Sequence, residues 1–210
     1  MNSREDLPKP VRRQATHRRV YDANAYERED GLFDVEVEMI DTKPFAFDNT
    51  DRGYVAAGEP LHHMKMRVTL DESMEIRDVE ARTLASPYHM CGAITDNYKQ
   101  LIGLKIVGGF LKKAAAITGR DQGCTHHNDM LKVMGTTAFQ GLWTIISRRN
   151  RARMEAEAKA KTAGDEADLT ATTKKLVGTT AAAALLNTCH AYAPTSPIVK
   201  RQWPDHYKGA

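Results

Sequence analysis

No stretch of this sequence approaches the about 18 consecutive apolar residues that a membrane-spanning helix needs, so no helical span is expected. The opening, Met1 to Pro10, is charged and lacks the apolar centre of a secretory signal, which points to a cytoplasmic setting. Cysteine is scarce, with 3 residues and no C-x2-C pair, and such cysteines read as free thiols in a reducing compartment. H-E-x-x-H, G-x-S-x-G, G-x-x-x-x-G-K-[ST] and G-x-G-x-x-G are all missing. Their absence weakens the case for a zinc peptidase, a serine hydrolase, a P-loop NTPase or a dinucleotide-binding dehydrogenase. Charge of one sign is also lacking. The net charge is +3, whereas a nucleic-acid binder carries a strongly basic face. Two arginine groups, Arg12, Arg13, Arg18 and Arg19, then Arg148, Arg149, Arg151 and Arg153, read as solvated charge or as a surface for an acidic partner.

What is present suits a globular protein: 210 residues, 41% apolar and 27% charged, enough for one domain with a sizeable core. Residues 1–17 read as an exposed basic tail and 18–210 as a single α+β domain. The pattern is strand-like from Arg18 to Thr42. Phe33, Val35, Val37 and Met39 alternate with Asp34, Glu36 and Glu38, the period-2 signature of a half-buried strand. Met64, Met66, Val68 and Leu70 alternate with His63, Lys65, Arg67 and Thr69, and Ile76, Val79, Ala81 and Leu84 continue as a third strand with a bulge. Lys43 to Pro60 reads as loop. This predicts an antiparallel three-strand meander with one wet face.

Helices follow: Ala93 to Ile102 ending at Gly103, Val107 to Ile117 bounded by Gly119, and Thr125 to Arg149. In the last, Leu131, Met134, Ala138, Leu142 and Ile145 make a core-facing stripe, with Thr125 as N-cap and Asp129 in the first turn. The charged stretch 148–175 reads as solvated helix or loop, and Leu176 to Ala191 as a packed helix. Pro194, Pro197 and Pro204 predict an extended C-terminal tail. Strands first and helices after is the α+β order.

Chemistry concentrates in four places. Gly119-Arg-Asp-Gln-Gly-Cys-Thr-His-His frames a turn that delivers Cys124 to a helix start, where the dipole favours an anion. His126 and His127 follow, about 100° apart on a helix, so one of them at most faces the way Cys124 does. Pro87-Tyr-His-Met-Cys-Gly joins the third strand to the first helix and carries Tyr88, His89 and Cys91. His62 and His63 open the second strand and face opposite sides of it. Cys189-His190 stands near a helix end. Zinc or iron would need three or four of these groups to converge. A metal-free alternative uses carboxylates around the first strand, Asp30, Asp34 and Asp41, with Tyr21, Tyr26 and Tyr88 as acid or base.

Six ordered motifs resemble the DUF2889 family: Arg28-Glu-Asp-Gly-Leu-Phe-Asp-Val-Glu, Asp41, Gly58-Glu-Pro-Leu-His-His-Met, Pro87-Tyr-x-x-Cys, Gly123-Cys-Thr-His and Gln140. The resemblance runs from Arg18 to Leu142 and returns at Cys189-His190 and at Pro204 to Tyr207. His63 and His127 stand where the family pattern has an acid and an apolar residue. The resemblance implies a role in aromatic catabolism. A more distant similarity, to the iron–sulfur scaffold fold, implies Cys91 at the strand–helix junction and Cys124 at the helix start, with no match for the scaffold's further cysteine.

Three expectations follow. In the first, the chain is a cofactor-independent lyase or isomerase acting on a small aromatic catabolite, for example by formaldehyde-releasing retro-aldol cleavage. His62, Tyr88 and His126 would serve as acid and base, and Arg19 or Arg28 would hold a carboxylate. In the second, Cys91, Cys124 and His126 bind zinc, iron or an iron–sulfur group. In the third, the charged segment binds a partner protein. A homo-oligomer is compatible with each.

Overall fold

The computed structural model describes residues 10–162 and 185–209. The chain divides into two compact units, Met1–Leu142 and Trp143–Ala210.

The first unit is built on an antiparallel sheet of β1 (Arg18–Glu27), β2 (Phe33–Thr42), β5 (Pro60–Leu70) and β6 (Ile76–Ala85), in that spatial order. The meander therefore has four strands rather than three. The strand-like stretch from Arg18 to Thr42 is a hairpin folded at Arg28–Leu32, where the Leu32 carbonyl accepts from the Arg28 N–H. The loop after β2 carries a small hairpin of its own, β3 (Phe47–Asn49) and β4 (Gly53–Val55).

Alternation decides which face is dry. Phe33, Val35, Val37 and Met39 are fully buried, and their cross-strand partners on β5 are Leu70, Val68, Met66 and Met64. Ile76, Val79 and Ala81 of β6 extend these rows. Each row buries several branched or thioether side chains, worth about 1.5–3 kcal/mol apiece. The register skips at Arg77, between Leu70↔Ile76 and Thr69↔Asp78, which is the bulge expected in the third strand. Leu84 lies beyond the core and is exposed. The opposite face is a wet charge ladder, with Glu36 paired to Arg67, Glu38 to His63 and Lys65, and Glu80 to Arg82.

Helical segments follow the sheet: a 3-10 helix over His89–Leu101, α1 (Phe110–Thr118) and α2 (Thr125–Thr162). Met130, Leu131, Met134, Ala138 and Leu142 of α2 are buried, as the stripe predicts, while Ile145 is half-buried. Helix α2 comes so close to β1 that a Cβ on Gly141 would sit 2.5 Å from the Ala25 Cβ. The helix runs through the arginine group at 148–153 to Thr162. The packed helix read over Leu176 to Ala191 falls largely outside the described residues.

In the second unit the expected extended tail is instead a short helix, α3 (Pro197–Gln202), followed by a 3-10 turn at Pro204–His206. Both prolines sit at the first helical turn. There a missing N–H costs nothing and a fixed φ favours the helix, so they start these turns instead of blocking them. Ser196 caps α3, its hydroxyl accepting from the Val199 N–H at 3.2 Å.

Candidate functional site

The core face of the sheet ends in a polar row. Arg19 of β1 is the register partner of Asp41 of β2, and Asp41 is the partner of His62 of β5. All three share the parity of Met39 and Met64, so they face the side of the sheet that carries the apolar rows. Asp41 is a carboxylate on the dry face of a strand, with its side chain 1% exposed.

Both of its oxygens are engaged. Arg19 donates from Nε to Oδ1 and from Nη2 to Oδ2, both at 2.7 Å, in the bidentate geometry that gives the strongest carboxylate pairing. His17 Nε2 lies 3.2 Å from Oδ1, and His62 Nδ1 lies 3.1 Å from Oδ2. An ionised carboxylate offers about four lone-pair sites; Arg19 and His62 take three by hydrogen bonds, and His17 stands at ion-pair distance. Burial alone would raise the carboxyl's pKa, but the hydrogen bonds and charge of Arg19, with His17 and His62, hold it below the usual range. Asp41 is therefore the anion of the site.

An anionic Asp41 fixes the His62 tautomer. Nδ1–H donates to Oδ2, and Nε2 keeps its lone pair. Nε2 has no partner among the described residues and is not one of the buried unpartnered atoms, so it is open to an incoming group. Burial, reinforced by the neighbouring His126, pushes the His62 pKa down to about 4 despite Asp41.

The second imidazole comes from α2. A Cβ on Gly123 would lie 2.0 Å from the Thr118 carbonyl oxygen, so only glycine allows the chain to turn this tightly before the helix. Tyr98 pins the turn: its hydroxyl accepts from the Cys124 N–H at 2.9 Å and lies 3.0 Å from the Asn128 Oδ1. The Cys124 carbonyl accepts from the Asn128 N–H, so Cys124, not Thr125, holds the cap position. Asp129 does not act on the dipole in the first turn; it accepts from Arg19 Nη1 at 3.2 Å.

From this turn His126 reaches the polar row. Its ring centroid is 3.8 Å from that of His62, with planes tilted by 33°. His126 Nε2 lies 3.8 Å from Asp41 Oδ2 and Nδ1 lies 3.8 Å from Cys124 Sγ. Burial first, then the Arg19 charge, lowers the His126 pKa. Two neutral imidazoles thus stand face to face beside one oriented anion.

The other expected residues are placed elsewhere. Arg28 pairs with Asp30 and Asp34 beyond the far end of β1, nine positions from Arg19 and so roughly 30 Å along the strand. Arg19 does bind a carboxylate, but it is the protein's own Asp41. Tyr88 is 53% exposed at the start of the 3-10 helix, and among the described residues no hydrogen bond or ring contact joins it to His62 or His126. Of the two histidines at 126 and 127 only His126 faces Cys124. His127 is fully buried, 3.3 Å from the Arg82 carbonyl and ringed against Tyr98 at 5.2 Å, a core residue. His63 pairs with Glu38 on the wet face.

Among the described residues, the ligand atoms that converge are those of Asp41, His62 and His126, all within 4.8 Å of one another. Cys91 and Cys124 are not in that set, so the expected Cys91–Cys124–His126 grouping is not assembled. Arg19 already pairs with both oxygens of Asp41, so a cation at this set would share the carboxylate with the guanidinium.

Asp41 was named in the sequence among several carboxylates and in the family resemblance, but not as the centre of the site, although its position carries that signal: it continues the buried parity of Phe33 to Met39. One residue escaped the reading from sequence. His17 lies just ahead of β1, where no periodicity marks it.

The fold and site define an α+β protein with an aspartate-oriented histidine pair at the end of an antiparallel sheet. The family model described as a protein of unknown function, DUF2889, matches residues 17–140, and the chain belongs to that family. The match begins at His17 and covers every member of the polar cluster. No curated protein and no solved structure matches the chain.

Proposed function

We propose that this protein is a cofactor-independent acid–base enzyme, a carbon–carbon lyase or an isomerase, acting on a small aromatic catabolite. The observation that supports it best is the orientation of His62. Asp41 holds its Nδ1, Nε2 is open, and a second neutral imidazole lies 3.8 Å away. A neutral, oriented imidazole is a general base at ordinary pH, and such groups contribute about 10²–10⁴-fold to rate.

In a retro-aldol cleavage, His62 Nε2 takes the proton of a substrate hydroxyl. The carbon–carbon bond breaks, formaldehyde leaves, and the electron pair passes to the carbon attached to the aromatic system. The imidazolium pair then returns a proton to that carbon. Asp41 stabilises the imidazolium through Nδ1–H, and His126 is close enough to share the proton. In the isomerase variant the same groups move a proton between two carbons.

The test is a formaldehyde assay on a panel of phenolic compounds bearing hydroxymethyl side chains. Wild-type turnover that falls at least 100-fold in His62→Ala, with an unchanged melting temperature, supports the proposal. Full activity in that variant removes His62 from the mechanism, and no turnover across the panel removes this substrate class.

A further inference from the structure

The acid–base reading leaves Cys124 without a task. We propose that Cys124 is a thiol nucleophile, with His126 as its base and Asp41 as the charge that steadies the resulting imidazolium.

The arrangement has three parts. Cys124 Sγ lies 3.8 Å from His126 Nδ1, within reach of a hydrogen bond to sulfur. The other ring nitrogen, Nε2, lies 3.8 Å from Asp41 Oδ2. An anion on that side favours the tautomer that carries its proton on Nε2, which leaves Nδ1 as the acceptor for the S–H. A base within reach of a nucleophile, itself oriented by a third group, is the general signature of covalent catalysis.

The backbone supports this role. The 38-residue helix α2 begins directly after Cys124, so the positive end of its dipole faces the sulfur. The Cys124 N–H and carbonyl are both tied to the Tyr98 hydroxyl, which fixes the direction of the Cα–Cβ bond. The other cysteines lack such a setting. Cys189 is exposed, and among the described residues the sulfur–histidine hydrogen bond is that of Cys124.

The chemistry suits a small electrophilic carbon. Cys124 Sγ–H gives its proton to His126 Nδ1, and the sulfur lone pair forms the S–C bond. With an aldehyde, the C=O π pair moves to oxygen, which recovers the proton from His126 to give a hemithioacetal. With an alkyl iodide, iodide leaves and the proton passes to solvent.

Accessibility alone predicts that exposed Cys189 reacts faster than half-buried Cys124. The proposal predicts the reverse order. Full-length protein at pH 7 would be treated with substoichiometric iodoacetamide, and alkylation at each cysteine followed by peptide mass spectrometry. Cys124 is expected to react about tenfold faster than Cys189. In His126→Gln the Cys124 rate should drop about tenfold with Cys189 unchanged. A wild-type Cys124 rate equal to or below that of Cys189 overturns the proposal whether or not the variant folds. So does a Cys124 rate in folded His126→Gln that matches wild type. Neither result bears on whether His62 drives turnover, so the two readings fail separately.

Discussion

Asp41 and His62 face each other across β2 and β5 as register partners, with Oδ2 of one 3.1 Å from Nδ1 of the other. The contact is therefore set by strand pairing rather than by a flexible loop. A slip of β5 by one residue would turn His62 to the wet face and leave Asp41 without it. The geometry of the polar row and the sheet register are the same variable here.

Asp41→Asn should destabilise the protein by about 3 kcal/mol. The substitution takes the charge from the buried carboxylate and leaves Arg19, part-exposed and still paired with Asp129, without its bidentate partner. Chemical denaturation of both proteins at pH 7 measures the difference. An equal midpoint and slope would mean that the pair contributes nothing net.

Stability should decline as pH falls from about 6.5 to about 4. His62 and His127 are both held near 4 by burial, whereas unfolded histidine titrates near 6.5. Because the folded values are depressed, the unfolded state takes up protons first on acidification. Their full contribution is present above about 6.5 and is lost on the way to 4. The expected slope is up to about 1.4 kcal/mol per pH unit for each histidine. Replacing His127 with Gln should reduce the slope by about half between pH 4 and 6, as read from denaturant midpoints.

Tyr98→Phe should cost about 1–3 kcal/mol, because it strands the Cys124 N–H and a hydrogen bond of Asn128 in a half-buried turn. It should also loosen His126 without touching it. A histidine ring NMR spectrum would show the His126 signals broadened or shifted, while those of His190 stay in place.

A chelator should leave the melting temperature unchanged. Asp41 already accepts two hydrogen bonds from Arg19 and one from His62, with His17 at ion-pair distance, so a cation would have to compete with Arg19 and the imidazoles. Elemental analysis of untagged protein purified without chelator, followed by thermal melts with and without EDTA, decides the matter. About one equivalent of zinc or iron per chain, with a melt lowered by EDTA, would replace the acid–base reading with a metal-assisted one.

The sheet was legible because its alternation is clean. Phe33 to Met39 and Met64 to Leu70 each place apolar groups on one side only, and both strands form as read. Strand β1 was less so, since Val20, Ala23 and Ala25 give a weak contrast on an edge strand whose burial is incomplete. The C-terminal prolines misled because proline at a first helical turn and proline in an extended tail look alike without the following hydrogen bonds. At the site, the glycine-framed turn before Cys124 and the choice of one histidine from 126 and 127 came from local rules. The meeting of Arg19, Asp41, His62 and His126 did not. It depends on register between strands that lie 22 and 21 residues apart in sequence, and periodicity within one strand carries no such information.

The chain leaves the sheet just past Asp41, at Thr42, and re-enters it at Pro60, just before His62. Everything between them, including the β3–β4 hairpin, is an excursion whose two ends are clamped by the polar row. It is tied back at three points: Val55 is buried, Arg52 donates to the Pro60 carbonyl, and Asp51 accepts from the His89 N–H. Loop grafting over 43–59 that keeps these anchors is thus the natural way to change the excursion without moving Asp41 or His62.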